Sequence, residues 1–267
     1  MNATRVGAIV LRQFDLMRSS PTRIVPLFAW VAIDIVLWGF IARYLDSATQ
    51  GGPNFVMSLL GAVLLWDFFT RIMHGLITAF LEDVWSRNFL NVFATPLSIG
   101  EYVAGLVVTS VATSLVGLAA MLLLAGGAFG LPFLAYGAAF VPFVMILFLF
   151  GIALGIFASA CVLRFGPAAE WLAWPLPALL SPFAAVFYPL SVLPAWMQAV
   201  AHAMPPSYAF ENLRAIVAGG APSYGDLAIG LALAAGYIVL AYAFFVRIHR
   251  SAVRSGLLAR YSAESTN

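Results

Sequence analysis

Six stretches of this chain run for about twenty residues or more with hardly a charge in them. An apolar run of that length has one common fate, a helix crossing the roughly 30 Å hydrocarbon core of a bilayer. The runs fall at about 24–45, 55–80, 102–125, 132–162, 171–190 and 226–248. Composition agrees: 63% of the 267 residues are hydrophobic and 9% are charged, against about 45–50% and about 25% in a soluble domain. A soluble globular fold is excluded. The expectation is a single all-α integral membrane domain over 1–267 with six transmembrane helices, multi-pass in a cell membrane, the bacterial inner membrane in the first instance.

Arginine placement orients these spans, because short cytoplasmic loops carry the positive excess. Lysine is absent, so all 13 basic residues are Arg. With both termini cytoplasmic, Arg5, Arg12, Arg18, Arg23, Arg87, Arg164, Arg247, Arg250, Arg254 and Arg260 lie inside. Only Arg43 and Arg214 fall outside, and Arg71 lies within the second span. The missing lysine removes a Walker A phosphate-binding loop, a Schiff base and a pyridoxal phosphate anchor, so the chain supplies no P-loop ATPase of its own. A net charge of +2 offers no basic surface for nucleic acid. Cys161 is the single cysteine and sits in an apolar stretch, which excludes an intrachain disulfide and a cysteine metal site. His74, His202 and His249 are scattered, and no His-Glu-x-x-His or Gly-x-Ser-x-Gly motif occurs, so neither a metal site nor a catalytic set is expected.

Several segments depart from plain spans. Over about 2–20, Val6, Val10, Phe14 and Met17 share one helical face opposite Arg5, Arg12 and Asp15, the pattern of an amphipathic helix lying in the membrane interface. The stretch 82–94 reads as a short cytoplasmic helix, with Glu82 and Asp83 in its first turn and Asp83 four residues before Arg87. Trp85, Phe89, Val92 and Phe93 form its apolar stripe, and Pro96 ends it. The fifth run contains Pro175, Pro177, Pro182 and Pro189, each of which removes a backbone donor and bends or breaks a helix. Beyond it, 194–218 holds two apolar pieces of half the spanning length around Pro205-Pro206, which suggests a re-entrant helical hairpin on the outer side. Ser207 is a plausible N-cap of its second piece, and Gly219 a C-terminal stop.

Asp34 in the first span and Asp67, Arg71 and His74 in the second are the ionisable groups nearest the bilayer centre, where charge is expensive. Asp67, Arg71, His74 and Thr78 share one stripe, and Asp67 with Arg71 has the spacing of an ion pair. An ion pair stitching helices together is the plainer reading, and a proton relay or substrate contact the sharper one. Gly151 and Gly155 have the spacing of close helix packing.

Two motifs carry a resemblance. One is Trp85-Ser86-Arg87-Asn88 through Ala94-Thr95-Pro96-Leu97-Ser98-Ile99-Gly100-Glu101-Tyr102. The other is Leu193-Pro194-Ala195-Trp196-Met197-Gln198, followed by Met204-Pro205-Pro206-Ser207-Tyr208-Ala209-Phe210-Glu211-Asn212-Leu213-Arg214. In this order and on a six-span layout the chain resembles the membrane permease subunit of the ABC transporter type-2 family, whose members export polysaccharides, lipid-linked glycans and drugs. The resemblance implies that Glu82, Asp83, Trp85, Arg87, Phe89 and Phe93 belong to a coupling helix seated in a separate ATPase subunit. It also implies that Pro194, Trp196, Pro205, Tyr208, Glu211 and Arg214 build an external hairpin capping the pathway. The implied assembly pairs two permease copies, a homodimer in the simplest case, with two ATP-binding subunits that hold ATP and Mg, all among membrane lipids. Apart from the substrate contact and the resemblance, the residues alone also admit a proton-coupled secondary transporter using Asp34, Asp67 and His74.

Overall fold

The computed structural model describes residues 1–19, 21–48, 55–86, 91–92 and 95–255, and among them every regular element is helical. In chain order these are α1 (Ala3–Arg18), α2 (Pro21–Ala48), α3 (Gly61–Trp85), α4 (Ile99–Phe129), α5 (Phe140–Phe165), α6 (Glu170–Ala173), α7 (Leu176–Leu180), α8 (Ala195–His202), α9 (Pro205–Val217) and α10 (Tyr224–Arg254). Among the described residues, four helical stretches are long and apolar enough to cross a membrane: Val56–Trp85, Ile99–Phe129, Phe133–Phe165 and Tyr224–Arg254.

Local chemistry sets the ends. Asn2 caps α1 by accepting the Thr4 N–H at 3.0 Å. A single π-helical turn, Val56–Leu60, leads into α3, and the Asp46 carboxylate at the end of α2 accepts the Phe55 N–H at 2.7 Å to fix that entry. α4 begins with a reciprocal capping box: the Ser98 hydroxyl accepts the Glu101 N–H at 3.3 Å, and the Glu101 carboxylate accepts the Ser98 N–H at 3.0 Å. It ends at Gly130, whose φ of 71° is the left-handed conformation that glycine adopts without steric cost.

α3 is the centre. Phe68, Phe69, Ile72, Met73 and Phe80 point to different sides of it and all are fully buried. α4 and α5 pack on it, and α10 closes on α5. Gly151 and Gly155 explain how near α5 comes: a β-carbon on Gly155 would stand 3.0 Å from the Leu76 β-carbon, and one on Gly151 would stand 3.1 Å from the Phe69 carbonyl oxygen. α1 lies against α4, with Ile9 seated over Gly105. The outer faces of α2, α4 and α10 expose Trp30, Phe40, Leu123, Val239 and Leu240, which suits contact with lipid.

The expected layout is revised in two places. The run 24–45 lies within one long helix, α2, whose side chains at 21–28 lie outside the described residues. The run 171–190 is not a continuous helix. It breaks into α6, α7 and a series of turns, because its four prolines withdraw the N–H groups that a helix would use. The segment 82–94 does not open a new helix at Glu82: Glu82 to Trp85 form the last turn of α3, since the apolar pattern of that helix runs on through Phe80, Leu81 and Val84. Asn91 and Val92 are helical, while Arg87, Phe89 and Phe93 lie outside the described residues.

Candidate functional site

Three polar constellations occupy this frame. The first joins α1, the end of α3 and the start of α4. Asp83, 1% exposed, sits where the C-terminal partial negative charge of α3 disfavours a carboxylate. Two donors from other helices offset that cost. The Arg12 guanidinium forks onto both carboxylate oxygens, with its second nitrogen 3.2 Å from Oδ2, and the buried Tyr102 hydroxyl donates to Oδ2 at 2.7 Å. The hydrogen bond to Asp83 holds the Arg12 guanidinium above its ordinary pKa. One turn along, Glu101 accepts the Asn2 N–H at 2.7 Å and lies 3.5 Å from Arg5. Asn2, Arg5 and Arg12 thus pin the α1 end of the chain to Asp83 on α3 and Glu101 on α4. Trp85, half exposed, projects from the same end.

Sequence reasoning treated Arg12 as part of the solvent-facing side of α1 and left Tyr102 without a role. The buried face of α1 is Ile9 and Gln13, a quarter-turn or so from the apolar stripe read off the helical wheel. The legible signal was Ser98-x-x-Glu101, a capping-box spacing that marks the helix start around which this cluster forms.

The second constellation is the helical pair α8–α9 with the turns before it. Pro194 caps α8 with extended backbone, and Trp196 meets Phe183 edge-on with centroids 6.1 Å apart. Pro205 starts α9, a position where its missing N–H costs nothing, so the cap is Met204 and not Ser207. The Ser207 hydroxyl instead lies between the Ala201 and Met204 carbonyls at 2.7 and 2.8 Å, and the Tyr208 hydroxyl donates to the His202 carbonyl at 2.9 Å. Gly219, with φ 81°, closes the piece as expected. The Glu211 carboxylate accepts the Leu190 N–H and the Arg214 guanidinium, both at 2.7 Å, and Arg214 also donates to the Val186 carbonyl at 3.3 Å. These side chains replace the backbone partners that the proline-broken segment lacks, next to Ala185, whose φ of 54° costs about 1–2 kcal/mol. Asn212, which sequence reasoning passed over, is buried, and its Oδ1 accepts the Ser223 N–H at 2.6 Å to join α9 to the cap of α10.

The third is intramembrane. Asp34, Asp67, Arg71 and His74 line one cavity of about 470 Å³ between α2, α3 and α4, a volume within the usual range of small-molecule sites. The expected Asp67–Arg71 ion pair does not form: no salt bridge joins them, and among the described residues Asp67 Oδ2 and Arg71 Nε find no hydrogen-bond partner. Arg71 leans to α4, where Gly117 makes room; a β-carbon there would stand 2.8 Å from Arg71 Cδ. His74 rests against Trp174 with centroids 4.6 Å apart, and its Nε2 is buried with no hydrogen-bond partner among the described residues. No hydrogen bond links Asp34, Asp67 and His74 into a chain. Glu82 lines the far end of the same cavity.

Among the described residues no group of three His, Cys, Asp or Glu can hold a metal ion. Comparison with protein families matches residues 4–218, from α1 through the α8–α9 pair, to the family described as ABC-2 type transporter. A search of curated proteins finds no match.

Proposed function

The chain belongs to the ABC-2 type transporter family, and from that premise we propose that it is the permease subunit of a two-component exporter whose ATP-hydrolysing subunit is a separate chain. The single observation that carries this is the extent of the match, which takes in the pinned α1, the α3–α4 turn and the α8–α9 pair together. In this reading the α3–α4 end and both termini face the cytoplasm, in keeping with the arginine distribution, and six segments cross or enter the membrane, α2 and the broken 171–190 stretch included. The segment about 82–94 seats in the ATPase subunit, which alone binds ATP and Mg. The α8–α9 pair caps the outer end of the pathway.

Closure of two ATPase subunits moves the docking segments of two permease copies, and the copies open a path at their shared face. The Arg12–Asp83–Tyr102 link gives that motion a route. A pull on the end of α3 reaches α1 and the start of α4 through charged hydrogen bonds. The test is to tag the chain, extract it gently from its membrane and identify what co-purifies. A P-loop ATPase in near-equal amount is expected, and Arg87→Glu should leave it bound loosely, with ATP hydrolysis uncoupled from transport. Recovery of the chain alone, with transport driven by an ion gradient, overturns the proposal.

A further inference from the structure

We infer that the cavity between α2, α3 and α4 is filled with water and carries solvent, inside a single copy, to the middle of the membrane. The helical stretch Val56–Trp85 is long and apolar enough to span, and Thr70 stands fourteen residues from its first residue and fifteen from its last, about 21 Å and about 22 Å of helix. Thr70 lines the cavity. Thr78 and Ala79 line it nearer the Trp85 end, together with Gln13 and Met17 of α1. One space therefore follows α3 from near its Trp85 end to its midpoint.

The polar atoms on its walls decide what fills it. Gln13 Nε2, Asp67 Oδ2, Thr70 Oγ1, Arg71 Nε and His74 Nε2 are buried, and among the described residues none of them has a hydrogen-bond partner. All five residues line this one cavity, and Gln13 is only 1% exposed. Asp67, Thr70, Arg71 and His74 follow one another at spacings of three, one and three, so they share one face of α3. The α4 wall is different. Thr109 and Ser110 donate their hydroxyl protons to the Gly105 and Ile72 carbonyls at 3.0 and 2.8 Å, so that side is satisfied within the protein.

A buried donor or acceptor left unmet is costly, and ionisable groups within a span face the bundle interior or a water-filled cavity. A lipid chain fits the volume but offers neither donor nor acceptor. Water offers both. A cavity of about 470 Å³ has room for roughly fifteen molecules at about 30 Å³ each, enough to give every one of these atoms a partner.

The inference concerns one copy and needs neither a second copy nor an ATPase subunit. The experiment uses the full chain with Cys161→Ser, which removes the single native thiol, in nanodiscs of phosphatidylcholine. One cysteine is then introduced, either by Thr70→Cys on the cavity wall or by Val116→Cys, a position 58% exposed on the outer face of α4 near its middle. The probe is the membrane-impermeant trimethylammonium-ethyl methanethiosulfonate. Its sulfur is attacked by the thiolate, with sulfinate leaving, and a thiol ionises in water far more readily than in hydrocarbon. Thr70→Cys should be modified about a hundredfold faster than Val116→Cys. If Thr70→Cys does not reach the membrane, His74→Cys, one turn nearer the Trp85 end, takes its place with the same expectation. A cavity cysteine modified no faster than Val116→Cys overturns the inference, because the space is then dry or closed to solvent. The two readings fail separately: a dry cavity leaves the ATPase partnership standing, and a wet cavity in a chain that recovers no ATPase sinks the permease reading alone.

Discussion

Two buried polar regions sit on the same pair of helices, α3 and α4, and the protein treats them in opposite ways. At one end Asp83 is saturated: a forked guanidinium from α1 and a tyrosine hydroxyl from α4 satisfy it. Four turns earlier along α3, Asp67 keeps a buried oxygen with no partner although Arg71 is one turn away. The sequence spacing of Asp67 and Arg71 is better suited to an ion pair than that of Arg12 and Asp83, which lie 71 positions apart. Spacing therefore does not decide which charges pair. What decides is whether a neighbouring helix brings a competing partner or a hole. Gly117 leaves room for Arg71 to lie against α4, and a cavity opens beside Asp67 between α2, α3 and α4.

If the first region is structural, breaking it has the largest effect on folding. Arg12→Met should destabilise by about 3 kcal/mol, because it strips the main counter-charge from a carboxylate that cannot reach water. The expected result is a lower unfolding midpoint in detergent, with part of the loss recovered when Asp83→Leu is added. A single variant as stable as the parent would mean that Asp83 has another route to solvent. Tyr102→Phe removes only one charge-assisted hydrogen bond and should cost about 1.5 kcal/mol. A double-mutant cycle with Arg12→Met then measures whether the two donors act together, and additivity would show that they do not.

How much of this was legible follows from the same physics. Helix length and polarity are local properties, so the runs that became α3, α4, α5 and α10 could be read from the chain, and so could the hairpin-like pair around Pro205-Pro206. The break after Trp171 was announced by prolines, but its repair was not: Glu211 and Arg214 lie more than twenty residues from the backbone groups they satisfy. The end of α3 was misplaced because acids near Glu82 look like a helix start, and only tertiary donors from α1 and α4 make them tolerable at a helix end. Residues 87–90 and 93–94, where the docking segment was expected, lie outside the described residues.

The α8–α9 pair sits between the two extremes. Glu211 and Arg214 are paired, yet both retain solvent contact, with side chains 36% and 20% exposed. Glu211→Gln keeps an oxygen for the Leu190 N–H and loses only the charge, so it should cost about 0.5 kcal/mol, as exposed pairs do. A loss as large as that of Arg12→Met would place this pair with the buried network and make the hairpin a rigid part of the core.

The smallest expected change is at Asp67, and its sign carries the most information. A charge that stabilises the fold is missed when removed, while a charge kept for a ligand is a burden on the empty protein. Asp67→Asn keeps the shape, trades an unpartnered carboxylate for a neutral amide, and lowers the cost of burying the group. Its stability should stay within about 0.5 kcal/mol of the parent or rise slightly, measured as the unfolding midpoint in detergent. A drop approaching that of Arg12→Met would show that Asp67 supports the helices after all, and the contrast between the two ends of α3 would collapse. With stability held or raised, any loss of binding or transport in the same variant has to come from what the carboxylate touches in the cavity, because the fold no longer depends on it.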